Sequence, residues 1–514
     1  MKKQISGGMV LSLISQAISI TVGLTYTPIM IRILGQSEYG LYQLVQSVVN
    51  YLNLMNFGFS GAYIRYFSMA RGKGDRDGIA NINGMFMKVF LCIGFLVLIG
   101  GMILLANIHI LGTQITEAEY VIARKLLIIM VISLSLSFPN SLFTIFMAAN
   151  EDFIFNRIVN IVTNIILPLI TLPLLFLGYG SVGVVAASLG MSVLRFIINA
   201  VYCKKKLQMK INLGFTDMKL FKGLVGYTFF IFLSDIVDQL NLNVDKFLLG
   251  RMVGTVSVAI YGVGFLLKQH YTGISWLIPE MYIPEANRLA IEEKDDWKLT
   301  LIFTKMGKIN NYICLLVITG FILIGQEFIS LWVGEGYEKS FYVALILMVA
   351  GYIPAVQTLG VNIQNAKNMH RMRSIVYFGI ACVNVVCSIF LIRLWGEIGT
   401  SLGTLIAVLI GSGIFMNIYY HKVIKLDVIY FWKQILGWTV TAGALMAVVW
   451  AIKRQIVINT WPTLILFILI YTGLYLSVLW FAWMKKSEKA AIKQAARQLL
   501  RRSEKTDGAE QNEG

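Results

Sequence analysis

Three carboxylates and one ammonium stand inside stretches otherwise apolar enough to cross a membrane. Asp235, Asp238 and Asp245 lie in the apolar stretch 222–246, and Lys268 lies near the middle of the next one, 256–280. At about 100° per residue the three aspartates fall within an arc of roughly 80°. Charge in a spanning helix is costly, so each such residue faces protein or water and is a candidate for function. Asp235 and Asp238 fall near mid-membrane. Their chemistry would be uptake of a proton or Na+, or hydrogen bonding to sugar hydroxyls; the plainer alternative is pairing with a neighbouring helix. Asp245, beside Lys246 near the outer end, reads as a member of an interfacial ion pair. Lys268 suits a phosphate or pyrophosphate group, or else a salt bridge to Asp235 or Asp238.

A second polar set has no charge. Gln43, Gln46, Asn50 and Asn53 recur at i, i+3, i+7 and i+10 and form one stripe. Amides facing lipid would be expensive, so this stripe faces protein or water. It suits sugar recognition and helix–helix bonding equally. Arg65 and Arg288 stand at the cytoplasmic ends of their segments. They would catch a phosphate at the inner mouth, or snorkel as ordinary interfacial arginines. Arg32 and Arg393 read as outer-face anchors.

The elements that must position these residues are membrane helices. Hydrophobic residues make up 57% of the 514 and charged residues only 14%, against about 25% in a soluble domain. With about 20 apolar residues needed per span, the chain reads as about fourteen transmembrane helices, one of them over 41–64. The fold class is therefore an all-α polytopic membrane protein. Lys and Arg gather in alternate short loops, such as Arg71, Lys73 and Arg76, or Lys204, Lys205 and Lys206. The opposite loops carry Glu117, Glu119, Glu335 and Glu338. The positive-inside rule then places both termini in the cytoplasm. The net charge of +17 follows this loop pattern and predicts no nucleic-acid partner.

The second half echoes the first. Leu34-Gly35 and Tyr39-Gly40 recur as Leu249-Gly250 and Tyr261-Gly262, Pro139 recurs as Pro354, and Gly180-Ser181-Val182-Gly183 as Gly396-Glu397-Ile398-Gly399. An even number of spans per copy predicts a parallel pseudo-twofold repeat with a cavity between the copies, the build of many transporters. The expected units are 1–206 and 207–425, each a six-helix lobe, then two peripheral helices over 426–484 and a basic cytoplasmic tail over 485–514. The tail reads as an amphipathic helix on anionic lipid. Pro139 and Pro354 read as hinges or fixed kinks.

Enzymatic signatures are missing from the sequence. The four histidines are dispersed, no P-loop occurs, and the five cysteines show no CxxC pair. Neither an enzyme, a metal site nor a cofactor is expected.

The run Arg32-Ile33-Leu34-Gly35-Gln36-Ser37-Glu38-Tyr39-Gly40-Leu41-Tyr42, then Asn56-Phe57-Gly58 and Arg65-Tyr66, resembles the polysaccharide-transporter (Wzx-type) flippases. So does Gly325-Gln326-Glu327-Phe328-Ile329-Ser330-Leu331-Trp332-Val333-Gly334. The resemblance covers about residues 1–425 and extends to a superfamily that includes MATE drug exporters and lipid II flippases. It implies alternating access between two lobes, and export of a polyprenyl-pyrophosphate-linked oligosaccharide across the bacterial cytoplasmic membrane. Membrane lipids and other polysaccharide-assembly proteins are the further partners it implies. Asn56 stands where such flippases often carry an acidic residue, which shifts the expected H+ or Na+ coupling to Asp235 and Asp238. A lipid II-type flippase and a MATE-like exporter remain the alternatives, and a cavity lysine would repel the cationic substrates of the latter.

Overall fold

The computed structural model of the protein describes residues 2–56, 59–112, 114–215, 218–277, 282–293, 295–367, 369–484, 486 and 489. The expected tail helix over 485–514 lies outside the described residues, apart from Lys486 and Lys489. The described chain is all helix and turn, without a strand.

Two glycines divide long helical runs that the apolar pattern alone would leave whole. Lys2–Leu52 turns at Gly35, where φ is 72° and ψ 174°, giving α1 (residues 2–34) and α2 (36–52). His370–Val408 turns in the same way at Gly396, φ 54°, giving α11 (370–395) and α12, which runs from 397 through a π turn to Lys422. Both are left-handed backbone positions where a side chain would be strained. Between them lie α3 (Arg76–Ala106), α4 (Glu117–Ala149), α5 (Phe153–Phe176), α6 (Gly180–Lys205), α7 (Met218–Met252) and α8 (Thr255–Leu277). A short helix Ile283–Arg288 leads into α9 (Asp296–Val333) and α10 (Lys339–Val356). Two further helices, α13 (Val428–Lys453) and α14 (Trp461–Val478), complete the chain.

Local chemistry sets several of these ends. Asp75 Oδ1 accepts from the Gly78 amide at 2.7 Å ahead of α3, and Asp295 Oδ1 from the Lys298 amide at 2.9 Å ahead of α9. Thr116 and Glu119 form a reciprocal capping box at the start of α4. The span expected over 41–64 is broken instead. α2 tightens into a 3-10 turn over Asn53–Asn56, and the chain resumes as the helix Phe59–Gly72. The two prolines differ as well. Pro139 sits inside an uninterrupted α4, whereas α10 ends two residues after Pro354, and Thr358–Ala366 resumes beyond Gln357.

Outward-facing side chains such as Leu91, Phe95 and Met102 on α3, or Phe390 and Leu394 on α11, are apolar and exposed, as a hydrocarbon solvent requires. Ten described stretches are long and apolar enough to cross a membrane, with α1–α2 and α11–α12 each falling in one of them.

The α1–α2 run packs along both α5 and α8, α8 along α10, α7 along α11–α12, and α9 along α13. The repeated glycine motifs meet their partners in mirrored fashion. Glu38 at the start of α2 accepts from the amide (2.6 Å) and hydroxyl (2.7 Å) of Ser181 at the start of α6. Ser257 at the start of α8 donates to Glu397 at the start of α12 at 3.1 Å. The hydroxyl and the carboxylate have exchanged positions between the two copies, and the contact is kept. α14 is pinned to α9 and α13 by Trp438 Nε1, which donates to Tyr475 Oη at 2.7 Å, and by that hydroxyl, which donates to the Tyr312 carbonyl at 2.8 Å.

Candidate functional site

Where α2, α7 and α8 face one another they enclose a cavity of ≈ 310 Å³. α2 contributes Gln43, Gln46 and Asn50, spaced i, i+3, i+7 on its polar face. α7 contributes Gln239, Asn243 and Lys246, spaced i, i+4, i+7, and α8 contributes Phe265 and Gln269. Gly262 on α8 lies beneath the Gln43 side chain, where a Cβ would make only an ordinary van der Waals contact with Gln43 Cγ, at 3.5 Å.

The wall is a connected set of amides around one ammonium. Lys246 Nζ donates to Gln43 Oε1 at 2.8 Å, and Gln43 Nε2 donates to the Tyr39 hydroxyl at 2.9 Å. Asn50 Nδ2 donates to Asn243 Oδ1 at 3.1 Å, and Asn243 Nδ2 to Gln239 Oε1 at 2.7 Å. Two of these bonds, Gln43–Lys246 and Asn50–Asn243, cross from α2 to α7. Lys246 Nζ also stands over the Phe265 ring, 4.9 Å from its centroid, and Lys268 Nζ stands over the same ring at 5.4 Å. Amides offer donors and acceptors together, so this wall matches vicinal hydroxyls and acetamido groups, and the ammonium matches one anionic group.

Gln46 and Asn50 thus line the cavity. Lys268 lies behind its Phe265 wall, between α8 and α10, where a Cβ on Gly351 would come within 3.8 Å of Lys268 Cε. Asn53 falls in the 3-10 turn after α2 and is exposed, outside the lining set. Arg65 on Phe59–Gly72 and Arg288 on Ile283–Arg288 are exposed and also outside it. Asp235 is half-buried and Asp238 exposed on α7, each no more than about one turn before Gln239, and neither lines the cavity. Among the described residues no ion pair joins Lys268 to Asp235 or Asp238.

Asp245 is not the interfacial ion-pair member that its neighbour Lys246 suggested. It is 2% exposed, and its carboxylate accepts from four neutral donors: Tyr261 Oη at 2.8 Å, Thr404 Oγ1 at 2.9 Å, Ser388 Oγ at 3.3 Å and Asn384 Nδ2 at 3.4 Å. These come from α8, α12 and α11, so one carboxylate ties four helices together. The sequence reading missed this cage, and it missed Gln239, Asn243 and Lys246 as cavity residues. The i, i+4, i+7 spacing of that trio was the available signal.

Residues 6–274 match the family described as polysaccharide biosynthesis protein. The chain is 22% identical over 414 residues to a Shigella flexneri protein described as "Putative O-antigen transporter", covering 79% of this chain and 96% of that one. Its fold is similar to a solved structure of the lipid II flippase MurJ in an inward closed conformation, with a TM-score of 0.73 at 17% identity, over 92% of this chain and 99% of that one. It is also similar to an inward-facing multidrug resistance MATE family transporter of the MOP superfamily, with a TM-score of 0.63 at 12% identity, over 82% and 98%. Those likenesses place the fold among all-α polytopic membrane transporters.

Proposed function

The chain belongs to the polysaccharide biosynthesis protein family, and from that footing we propose that it exports a polyprenyl-pyrophosphate-linked oligosaccharide across the bacterial cytoplasmic membrane. The observation that carries this reading is the cavity between α2, α7 and α8, walled by amides and a single lysine with no carboxylate in its lining. Such a wall exchanges its internal hydrogen bonds for those of sugar hydroxyls at little net cost, because each amide can both give and accept. An anionic group on the substrate would displace Gln43 from Lys246 and form the stronger, charge-assisted bond. A cationic drug would meet that ammonium as a like charge, which weighs against a MATE-like substrate.

In this reading residues 1–206 and 207–425 act as two lobes that rock about the cavity while the polyprenyl tail stays in lipid. Both termini face the cytoplasm, and the Gly35, Gly112 and Gly334 turns face outward. The role is transport and not catalysis. Energy would come from an H+ or Na+ gradient, and Asp245 is a better seat for that ion than Asp235 or Asp238. It is fully buried, and its hydroxyl and amide neighbours can turn oxygen toward a bound cation. A proton on Asp245 would satisfy the same site as a donor to Asn384 or Ser388.

Mass spectrometry of polyprenyl-linked lipids from cells with and without the gene tests the proposal. Accumulation of one undecaprenyl-pyrophosphate glycan in the deletion strain is expected, and its mass names the substrate. An unchanged lipid profile, with any paralogue also deleted, contradicts it.

A further inference from the structure

On the face assigned as outer, the two lobe-forming halves meet at their turns: Gln36 Nε2 donates to the Gly336 carbonyl at 2.7 Å, Arg32 donates to the Leu331 carbonyl, and the Glu119 carboxylate also spans the seam. Glu119, in the first turn of α4, accepts from Ser37 Oγ at 2.6 Å and from Thr255 Oγ1 at 2.8 Å, both through Oε1. Ser37 follows the Gly35 turn between α1 and α2. Thr255 follows Gly254, φ 123°, in the turn between α7 and α8. These turns occupy equivalent places in the internal repeat, so one carboxylate grips the same corner of both copies. Its other oxygen is occupied at home, where Oε2 accepts from the Thr116 amide at 2.8 Å and the Thr116 hydroxyl at 2.9 Å. That leaves Oε1 aimed across the seam.

The backbones around this contact are in close approach. A Cβ on Gly40 would overlap the Thr255 carbonyl, and one on Gly112 would lie 2.7 Å from the Gly250 carbonyl. The Glu119–Ser37 bond is exposed and the Glu119–Thr255 bond only partly buried, so water can replace both when the seam parts. The Asp245 bonds to Tyr261, Asn384 and Ser388, by contrast, are buried.

We propose that Glu119 is a latch of the outer gate, alongside the Gln36 and Arg32 bonds to the second half. Its bond to Thr255 holds the cavity shut toward the outside in the conformation seen here, and it must break for the cavity to open outward. Glu119 is a positioning residue and does not touch the transported molecule. The proposal rests on the two-lobe, termini-inside reading above.

The test reads the cavity from outside. A cysteine at Gln269, on the cavity wall, is labelled in intact cells by a membrane-impermeant maleimide, with the chain lacking that cysteine as the blank. Thr255→Val removes the hydroxyl and keeps the shape, whereas Thr255→Ser keeps the hydroxyl and loses the methyl. Loss of a hydrogen bond to a charged group shifts an equilibrium by about tenfold. External labelling is therefore expected to rise about tenfold in Thr255→Val and to stay within about twofold of the parent in Thr255→Ser. Equal rates in Thr255→Val and the parent overturn the latch. So does an equal rise in both variants, since that would trace the effect to packing. The readout involves no glycan, so an error in the assigned substrate would leave the result untouched. An inverted orientation would show separately, as parent labelling that is already fast from outside.

Discussion

Lys246 and Asp245 are adjacent in the chain and point into different worlds. One helical step turns a side chain by about 100°, so neighbours on a helix do not share a face. Asp245 goes into the packing of α7 against α8, α11 and α12, and Lys246 into the cavity. The reading of Asp245 as an interfacial ion-pair member placed it at the membrane surface, whereas it is buried; the amide stripe on α2 was legible because its spacing was respected. The cage around Asp245 could not be read at all, since Asn384, Ser388 and Thr404 stand about 140 to 160 residues away in sequence and only the fold collects them. Lys246→Met should lower export at least about tenfold, the scale of one charge-assisted bond, while the protein still inserts; lipid accumulation in complemented cells reads this. Asp245→Asn should keep the fold, because the amide oxygen still accepts, but abolish dependence of export on the ion gradient. Asp245→Ala should instead lower thermal stability in detergent, because buried donors lose their acceptor at about 1–3 kcal/mol each. Equal melting of Asp245→Asn and Asp245→Ala would show that the cage bonds carry no stability.

Helix count was legible from hydropathy because lipid demands long apolar runs, but limits such as 41–64 were not. The break at Asn53–Asn56 leaves hydropathy almost unchanged, and Pro139 and Pro354 look alike in sequence. The difference lies in their downstream neighbours. The chain after Pro139 stays packed through Leu142, Phe143 and Phe146 in the core, while that after Pro354 reaches Gln357, whose side chain turns away to donate to Asn417 Oδ1 at 2.7 Å. At this scale Gly40 is the sensitive position, since a methyl there would overlap the Thr255 carbonyl. Gly40→Ala should part the outer seam and raise external labelling of the cavity cysteine more than Thr255→Val does; an unchanged rate would mean that the seam yields freely. Tyr475→Phe should loosen α14 from α9 and α13, because the buried Trp438 indole N–H loses its acceptor, at a cost of about 1–3 kcal/mol. Limited proteolysis of the α13–α14 pair in detergent would register it.

The two halves that echo each other in sequence keep one contact and differ in its chemistry. Glu38–Ser181 and Ser257–Glu397 are the same contact with donor and acceptor exchanged, which explains why the repeat was visible through glycines and not through polar identities. The cavity is likewise asymmetric, amides from the first half facing amides, an aromatic ring and a lysine from the second. Translocation through that cavity can be observed after reconstitution. Purified protein in vesicles carrying the accumulated lipid-linked oligosaccharide on one leaflet should expose the glycan to an enzyme or lectin on the other side. The triple variant Gln46→Ala, Asn50→Ala, Lys246→Met should not, although it incorporates equally. Exposure of the glycan at an undiminished rate by that variant would contradict the account.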